Sequence, residues 1–144
     1  QGDGSMRISN WPSALIAHIE DNRQTPFKWG VHDCMLWAAS CIEAVTDNDP
    51  AKDLRGTYST ALAAIRIIDS YGGFNALVES LIDGGEEMRI HRNLASRGDL
   101  VTTTDERGHK ALGICDTHHG VFPGPDGLTF IKRNDLDDEA WRII

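Results

Sequence analysis

The sequence has few cysteines and lacks the segments that mark secreted or membrane proteins. It contains three cysteines in 144 residues, and an odd number without a secretion signal argues against a disulfide framework. No stretch is long and apolar enough to cross a bilayer, and no charged-then-apolar leader precedes the first predicted helix. We therefore expect free thiols, synthesis in a reducing cytoplasm and no insertion into a membrane.

Positive charge is also scarce. The chain has 14 Lys and Arg against 22 Asp and Glu, a net charge of −8, which argues against an electrostatic grip on nucleic acid or on an anionic membrane. Three motifs are missing as well: the G-x-G-x-x-G fingerprint, the P-loop and the G-x-S-x-G nucleophile elbow. We expect no cofactor and no nucleic-acid partner.

The length and composition fit one soluble domain. Hydrophobic residues make up 40% of the 144 residues and charged residues 25%, which is ordinary for a globular protein with one core. We interpret the opening QGDGS, residues 1–5, as a remnant of cloning and Met6 as the native start. Residues 6–144 are then expected to form a single domain.

The first half of the chain has helical periodicity. Asn10 is placed to cap a first helix, and Asp33 to cap a second, mostly buried helix from about Cys34 to Val45. Gly pairs end two further helical segments, TYSTALAAIRIIDSYGG and FNALVESLIDGG. The apolar positions expected to face inward on the first, third and fourth helices are Trp11, Leu15, Ile16, Ile19, Ala61, Leu62, Ile65, Ile68, Phe74, Leu77, Val78 and Leu81.

The second half changes to short runs with strand character after Gly85. Turn-forming Gly, Asp, Asn and Pro residues separate six runs: EEMRIHR, GDLVTTT, KALGICD, GVFPG, LTFIKR and AWRII. Because the connections are short, neighbouring strands are expected to pair antiparallel. The pattern predicts an α+β fold in which N-terminal helices pack on one C-terminal antiparallel sheet.

Cys34 is the main candidate for a reactive residue, and the sequence around it allows three interpretations of its thiol. A thiol in the first turn of a helix can be a nucleophile, because the helix N-terminus favours negative charge and lowers the pKa of the thiol. Free cysteines are also common core residues, and we interpret Cys41, two turns along, as packing. The third interpretation is a metal ligand.

A nucleophilic thiol needs a base, and six histidines are available. His109, immediately before the strand KALGICD, and His118 and His119, in the turn after it, lie in the layer that should face the helices. His32 is close enough in sequence to line the site. His18 and His91 are expected at the surface.

A metal site is the less favoured interpretation. Cys34, Cys115, His118 and His119 carry atoms that bind zinc. However, the chain has no C-x-x-C pair and no H-E-x-x-H motif. We therefore predict no metal.

Taken together, a Trp29-Gly30 turn, Asp33-Cys34 opening a buried helix, RGDLV at 97–101 and ALGIC at 111–115 resemble the NlpC-type branch of papain-like cysteine peptidases. The pieces PFKWGVHDC, RGTYST, GDLV, ALGI and AWRI further resemble short phage and prophage tail-module proteins over nearly the whole chain. The resemblance implies a papain-like fold, Cys34 as nucleophile, cell-wall peptide as substrate and other tail proteins as partners.

One position departs from the peptidase pattern. The base histidine of active enzymes corresponds to Ala111 here, so the resemblance supplies no base. His109 first and His119 second are the candidates to replace it, with backbone N–H groups near the helix start stabilising the oxyanion. Two hypotheses follow: a cysteine peptidase or amidase that cuts peptidoglycan, and a catalytically inactive peptidase-fold component of the phage tail or its assembly.

Overall fold

Helices and strands occur in the order that the patterning predicts. The computed structural model describes residues 7–144, so the interpretation of residues 1–5 and of Met6 lies outside the described residues. The helices are α1 (Trp11–Asp21), α2 (Cys34–Thr46), α3 (Ala61–Ser70) and α4 (Phe74–Leu81). The strands are β1 (Arg89–His91), β2 (Leu100–Thr104), β3 (Lys110–Cys115), β4 (His119–Gly124), β5 (Gly127–Lys132) and β6 (Glu139–Trp141). The predicted α+β class is confirmed.

The six strands form one antiparallel sheet in the order β1-β6-β2-β3-β4-β5. Strands β2 to β5 follow one another through short turns, as expected. The C-terminal β6 instead inserts between β1 and β2, so it is an internal strand. Trp141 and Ile143 are buried and Arg142 between them is exposed, as the alternation in WRII predicts, although the strand itself ends at Trp141.

Alternation along the strands gives the sheet two apolar faces. The face toward the helices carries Leu100, Leu112, Ile114, Val121 and Trp141. The opposite face carries Val101, Cys115, Phe122 and Ala140, and it is covered by Ala95 and Leu136 from connecting segments. Both faces are therefore removed from water, one by helices and one by loops.

Helix α2 lies at the centre of the helical layer. Trp37, Ala38, Cys41 and Val45 are almost completely buried along it, which confirms Cys41 as a packing residue. The Trp37 indole Nε1 donates a 2.9 Å hydrogen bond to the carbonyl oxygen of Val121, joining α2 to β4. Within residues 7–144, no helix combines the length and apolar character needed to cross a membrane.

Four apolar positions that were expected to face inward are exposed instead: Ile16 on α1 and Ala61, Leu62 and Ile65 on α3. On α3, Ala64 is buried and Ile68 packs on the core instead, because α3 lies against α4 at the margin of the helical layer and needs only one narrow apolar side. Asn10 is the N-cap residue of α1 as predicted, but its side chain makes no capping hydrogen bond.

A buried carboxylate ties both ends of the described chain to the sheet. Asp99, 1% exposed, accepts hydrogen bonds from Arg7 Nη2 at 2.9 Å and from the Ile143 backbone N–H at 3.0 Å, both through Oδ1. Its Oδ2 accepts from the Ser96 N–H at 2.8 Å. The Arg7 guanidinium also donates to the Ile143 and Arg97 carbonyl oxygens. The Asp in RGDLV is thus a structural anchor.

We expect Asp99→Ala to lower the free energy of unfolding by about 3–5 kcal/mol, because it leaves Arg7 and two backbone N–H groups without their acceptor. Urea denaturation followed by circular dichroism measures the change. Asp138→Ala, at a side chain 80% exposed, is the matched control and should cost less than about 0.5 kcal/mol. Equal effects of the two substitutions would contradict the anchoring role.

Candidate functional site

A tight turn immediately precedes the start of α2. Lys28 and His32 form an isolated antiparallel bridge, with the His32 N–H donating to the Lys28 carbonyl oxygen at 2.7 Å. Gly30, within the turn, has φ +78°, and a Cβ there would lie 1.8 Å from the Tyr58 carbonyl oxygen. Only glycine fits this close approach, which explains the Trp-Gly pair of the sequence.

Asp33 fixes this turn to the helix and to a distant loop. Its Oδ1 accepts from the Leu36 N–H at 3.0 Å, the N-cap bond that was predicted. Its Oδ2 accepts from the Gly30 N–H at 2.9 Å and from the Tyr58 hydroxyl at 2.5 Å. The carboxylate is buried, and its three partners are two backbone N–H groups and the Tyr58 hydroxyl, so it orients the turn and the helix start.

Cys34 is the first residue of α2 and is half-buried. Burial raises the pKa of its thiol to about 11, and the neighbouring Asp33 carboxylate acts in the same direction. Backbone N–H groups of Leu112, Met35 and Cys34 itself oppose the rise. The helix N-terminus was expected to lower the pKa of the Cys34 thiol, but the net change is a rise. Burial removes more of the hydration that stabilises the thiolate than the hydrogen bonds from the amides replace.

The strand facing Cys34 is β3. Its first half pairs with β2 on one side but not with β4 on the other. Strand β4 pairs with β3 only at Ile114–Val121 and Cys115–Gly120. Leu112, in the unpaired half, reaches the Cys34 sulfur through its backbone. Ala111, the position that corresponds to the peptidase histidine, packs with the cluster on the opposite face of the sheet, so its side chain points away from the core that Cys34 joins.

His109, the first candidate base, lies in the turn between β2 and β3. Its side chain is 73% exposed, and its Nδ1 is 3.4 Å from Asp105 Oδ2. It precedes Leu112 by three residues, or roughly 10 Å along an extended strand. The structure therefore does not bring His109 to the thiol in this conformation.

His119, the second candidate, starts β4 beyond the other end of β3. It lies opposite Asp116 in the turn, four residues and roughly 13 Å along the strand from Leu112. Its Nδ1 is 3.7 Å from Asp116 Oδ1, and its ring contacts Phe130 edge-on. His118, beside it, is exposed. Neither histidine lies in the same region as Cys34.

His18 and His32 flank the Trp37 ring. For His18 this differs from the expected position at the surface. The His18 ring stacks on Trp37 with centroids 5.1 Å apart, and His32 is tilted against it at 5.6 Å. Ser40 Oγ donates its only hydrogen to the Trp37 carbonyl oxygen, so His18 Nε2 is the donor in the 2.8 Å contact with Ser40. Ser40 therefore has no base beside it, and the pair links α1 to α2.

Trp29 lies outside this pair, with its ring edge-on to Phe27 at 4.7 Å. His32 is buried, and its Nε2 has no hydrogen-bond partner among the described residues. Among residues 7–144, no three histidine, cysteine or carboxylate side chains converge in a way that could hold a metal ion. Of the predicted site residues, the structure thus groups Gly30, His32, Asp33 and Cys34 around one turn.

Tyr58 is the site residue that periodicity and spacing missed. It lies in a loop 25 residues after Asp33, and only the folded chain shows that its hydroxyl binds the carboxylate. A signal was present nevertheless, since RGTYST accompanies PFKWGVHDC in the resemblance described above.

Comparison with known proteins identifies the family. The model of a domain of unknown function, DUF6950, matches residues 6–143. The chain belongs to the DUF6950 family. No curated protein matches. Among solved structures, RipD from Mycobacterium tuberculosis, described as a non-catalytic NlpC/p60 domain protein adapted to peptidoglycan binding, is similar over 95% of this chain and 100% of its own, with 14% identity and a TM-score of 0.48.

In this DUF6950 domain we expect Tyr58→Phe to lower the free energy of unfolding by about 1.5–3 kcal/mol, the range for a hydrogen bond to a charged group. Thermal and urea unfolding measure the loss. Tyr71→Phe, at an exposed tyrosine, is the matched control and should change stability by less than about 0.5 kcal/mol. A Tyr58 variant as stable as its control would show that the Asp33 contact contributes nothing.

The stability of the domain should also fall in mild acid. Burial lowers the pKa of both His18 and His32 from the ordinary 6.5, so below that pH the unfolded chain binds more protons than the folded one. We expect the free energy of unfolding to drop by about 1–2 kcal/mol between pH 7.5 and 5.5, and the drop to shrink in His18→Gln. Stability that is constant or rises over this interval would contradict the assignment.

Proposed function

We propose that this domain is a peptidase-fold binding component that holds its ligand without cleaving it. The observation that carries the proposal is the position of the candidate bases. His109 and His119, the residues that could take the proton of the Cys34 thiol, lie beside Asp105 and Asp116 instead. Burial also raises the pKa of the thiol to about 11, which disfavours the thiolate, the nucleophilic form.

The resemblance of PFKWGVHDC, RGTYST, GDLV, ALGI and AWRI to phage tail-module proteins supports a setting for this role. On this proposal the protein is made in the host cytoplasm, assembles into or onto the phage tail and contacts cell-wall peptide or other tail proteins. The exposed part of the turn before α2 is Val31, which is 58% exposed and lies three residues before the half-buried Cys34. On this proposal the ligand contacts the domain at this part of the turn.

A hydrolase is the second candidate, and one observation favours it. Cys34 occupies the first turn of a buried helix whose cap is held by three hydrogen bonds, which is a rigid and partly accessible position for a nucleophile. A histidine would have to move to within hydrogen-bond reach of the sulfur when ligand binds. Catalysis would then depend on the ligand for its active geometry.

The two candidates predict different results with purified cell wall. For the binding role we expect the domain to co-sediment with wall, to release no new amino groups and to behave identically as Cys34→Ala. We also expect iodoacetamide at pH 7 to modify Cys34 more slowly than an unhindered thiol, and the rate to rise as the pH approaches 11.

The controls separate loss of fold from loss of chemistry. Cys41→Ala truncates the neighbouring packing thiol on the same helix, so its effect on unfolding shows the cost of a cysteine substitution in α2. Wall hydrolysis that disappears in Cys34→Ala but persists in Cys41→Ala would establish the hydrolase and overturn the proposal. Absence of both hydrolysis and binding would refute the wall as ligand.

A further inference from the structure

Basic side chains gather at the open end of the β4–β5 hairpin, in a chain with a net charge of −8. Lys132, Arg133, His118, His119 and Asn134 line an open cavity of about 330 Å³ there. Among residues 7–144, no salt bridge includes Lys132 or Arg133. The charge of this cavity is therefore not cancelled by a carboxylate in direct contact.

Arg133 is held in place by carbonyl groups. Its Nη1 donates to the carbonyl oxygens of Arg92 at 2.6 Å and Ala95 at 2.9 Å, and its Nη2 donates to that of Thr117. These partners satisfy the guanidinium hydrogen bonds without neutralising its charge. The result is a fixed positive potential beneath the cavity, while the exposed Lys132 adds a mobile charge at its rim.

His119 connects this cavity to a second one. It pairs with Lys132 across β4 and β5, which places the two side chains next to each other on one face of the sheet. On its other side the imidazole contacts the Phe130 ring edge-on, with centroids 6.2 Å apart. Phe130 belongs to the lining of a neighbouring groove of about 140 Å³ between α1 and β5.

The neighbouring groove has an apolar floor, and two arginines and two carboxylates line its sides. Leu15, Ile16, Ile19 and Phe130 supply the apolar surface, and Ile16 is 50% exposed there. The Arg23 guanidinium lies 4.8 Å from the centre of the Phe130 ring.

Arg97 is the second arginine that lines the groove, and its Nε donates to Thr117 Oγ1 at 3.2 Å. No salt bridge of the described residues includes Arg97. Two acidic residues, Glu20 and Asp116, also line the groove. Glu20 pairs with Arg23 at 3.0 Å, and Asp116 accepts from the His119 N–H at 2.8 Å. The two carboxylates balance the two arginines, so the groove contributes mainly its apolar floor.

We propose that these two adjoining concavities form a docking surface for a peptide segment of a partner protein, one in which acidic side chains are followed by an apolar or aromatic residue. Lys132, His119 and Arg133 attract the acidic part, and the groove at Ile16 and Phe130 takes the apolar side chain. A long polyanion fits less well, because the net charge of −8 repels it. This surface goes beyond the proposed function, and it is separate from Cys34.

The test is a titration of the isotopically labelled chain with a blocked tetrapeptide of two glutamates, phenylalanine and leucine. We expect the backbone amide signals of His119, Phe130 and Lys132 to shift. Lys132→Glu and Ile16→Ser should each raise the Kd at least about fivefold. The matched controls are Lys52→Glu, at an exposed lysine elsewhere, and Leu62→Ser, at a similarly exposed leucine, and both should leave the Kd unchanged.

Three further ligands make the result decisive. Replacing the glutamates by glutamine, or the phenylalanine and leucine by glycine, should weaken binding at least about fivefold. Inorganic phosphate should shift the same amides only weakly. Equal binding of all peptides, no shift at millimolar peptide, or phosphate binding that matches the acidic peptide and ignores Ile16→Ser would overturn the proposal.

Discussion

The arrangement around Cys34 depends on one buried carboxylate. Asp33 joins the end of the Gly30 turn, the first turn of α2 and the loop that carries Tyr58, through three hydrogen bonds of 2.5 to 3.0 Å. Tyr58 lies 25 residues after Asp33, and without this shared acceptor the N–H groups of Gly30 and Leu36 and the Tyr58 hydroxyl would lose their hydrogen bonds. The three partners of this carboxylate are two backbone N–H groups and the Tyr58 hydroxyl, so its role in the structure is to hold the helix start.

The thiol shows which of two opposing effects dominates at a helix start. A helix N-terminus favours a neighbouring negative charge by about 0.3–1 kcal/mol at an exposed site and by up to ∼2 kcal/mol when partly buried. The rise of the Cys34 pKa to about 11 corresponds to about 3 kcal/mol in the opposite direction. Desolvation together with the adjacent Asp33 charge thus outweighs the dipole. Helix position alone is therefore a poor guide to thiol reactivity when the same turn is packed under a carboxylate.

Local sequence predicted what local interactions determine. The Asp33 cap, the buried α2, the inward residues of α4 and the β2–β5 strands follow from periodicity and turn residues close in sequence. The failures involve long-range packing. Leu62 and Ile65 have helical spacing, but no neighbouring element covers them. His109 was placed by strand alternation, yet β3 begins after it and Ala111 faces the opposite side of the sheet. The Tyr58–Asp33 bond and the insertion of β6 between β1 and β2 depend on the folded topology, which periodicity does not encode.

Structural support and the candidate chemistry reside in different residues. Asp99 holds Arg7 and Ile143 at the sheet, and Asp33 holds the start of α2, whereas Cys34 makes no hydrogen bond through its side chain to another side chain among the described residues. Its side chain instead packs against the main core cluster while remaining half-buried. The thiol therefore contributes apolar contact, whereas the hydrogen bonds that hold the frame around it are made by Asp33 and Asp99.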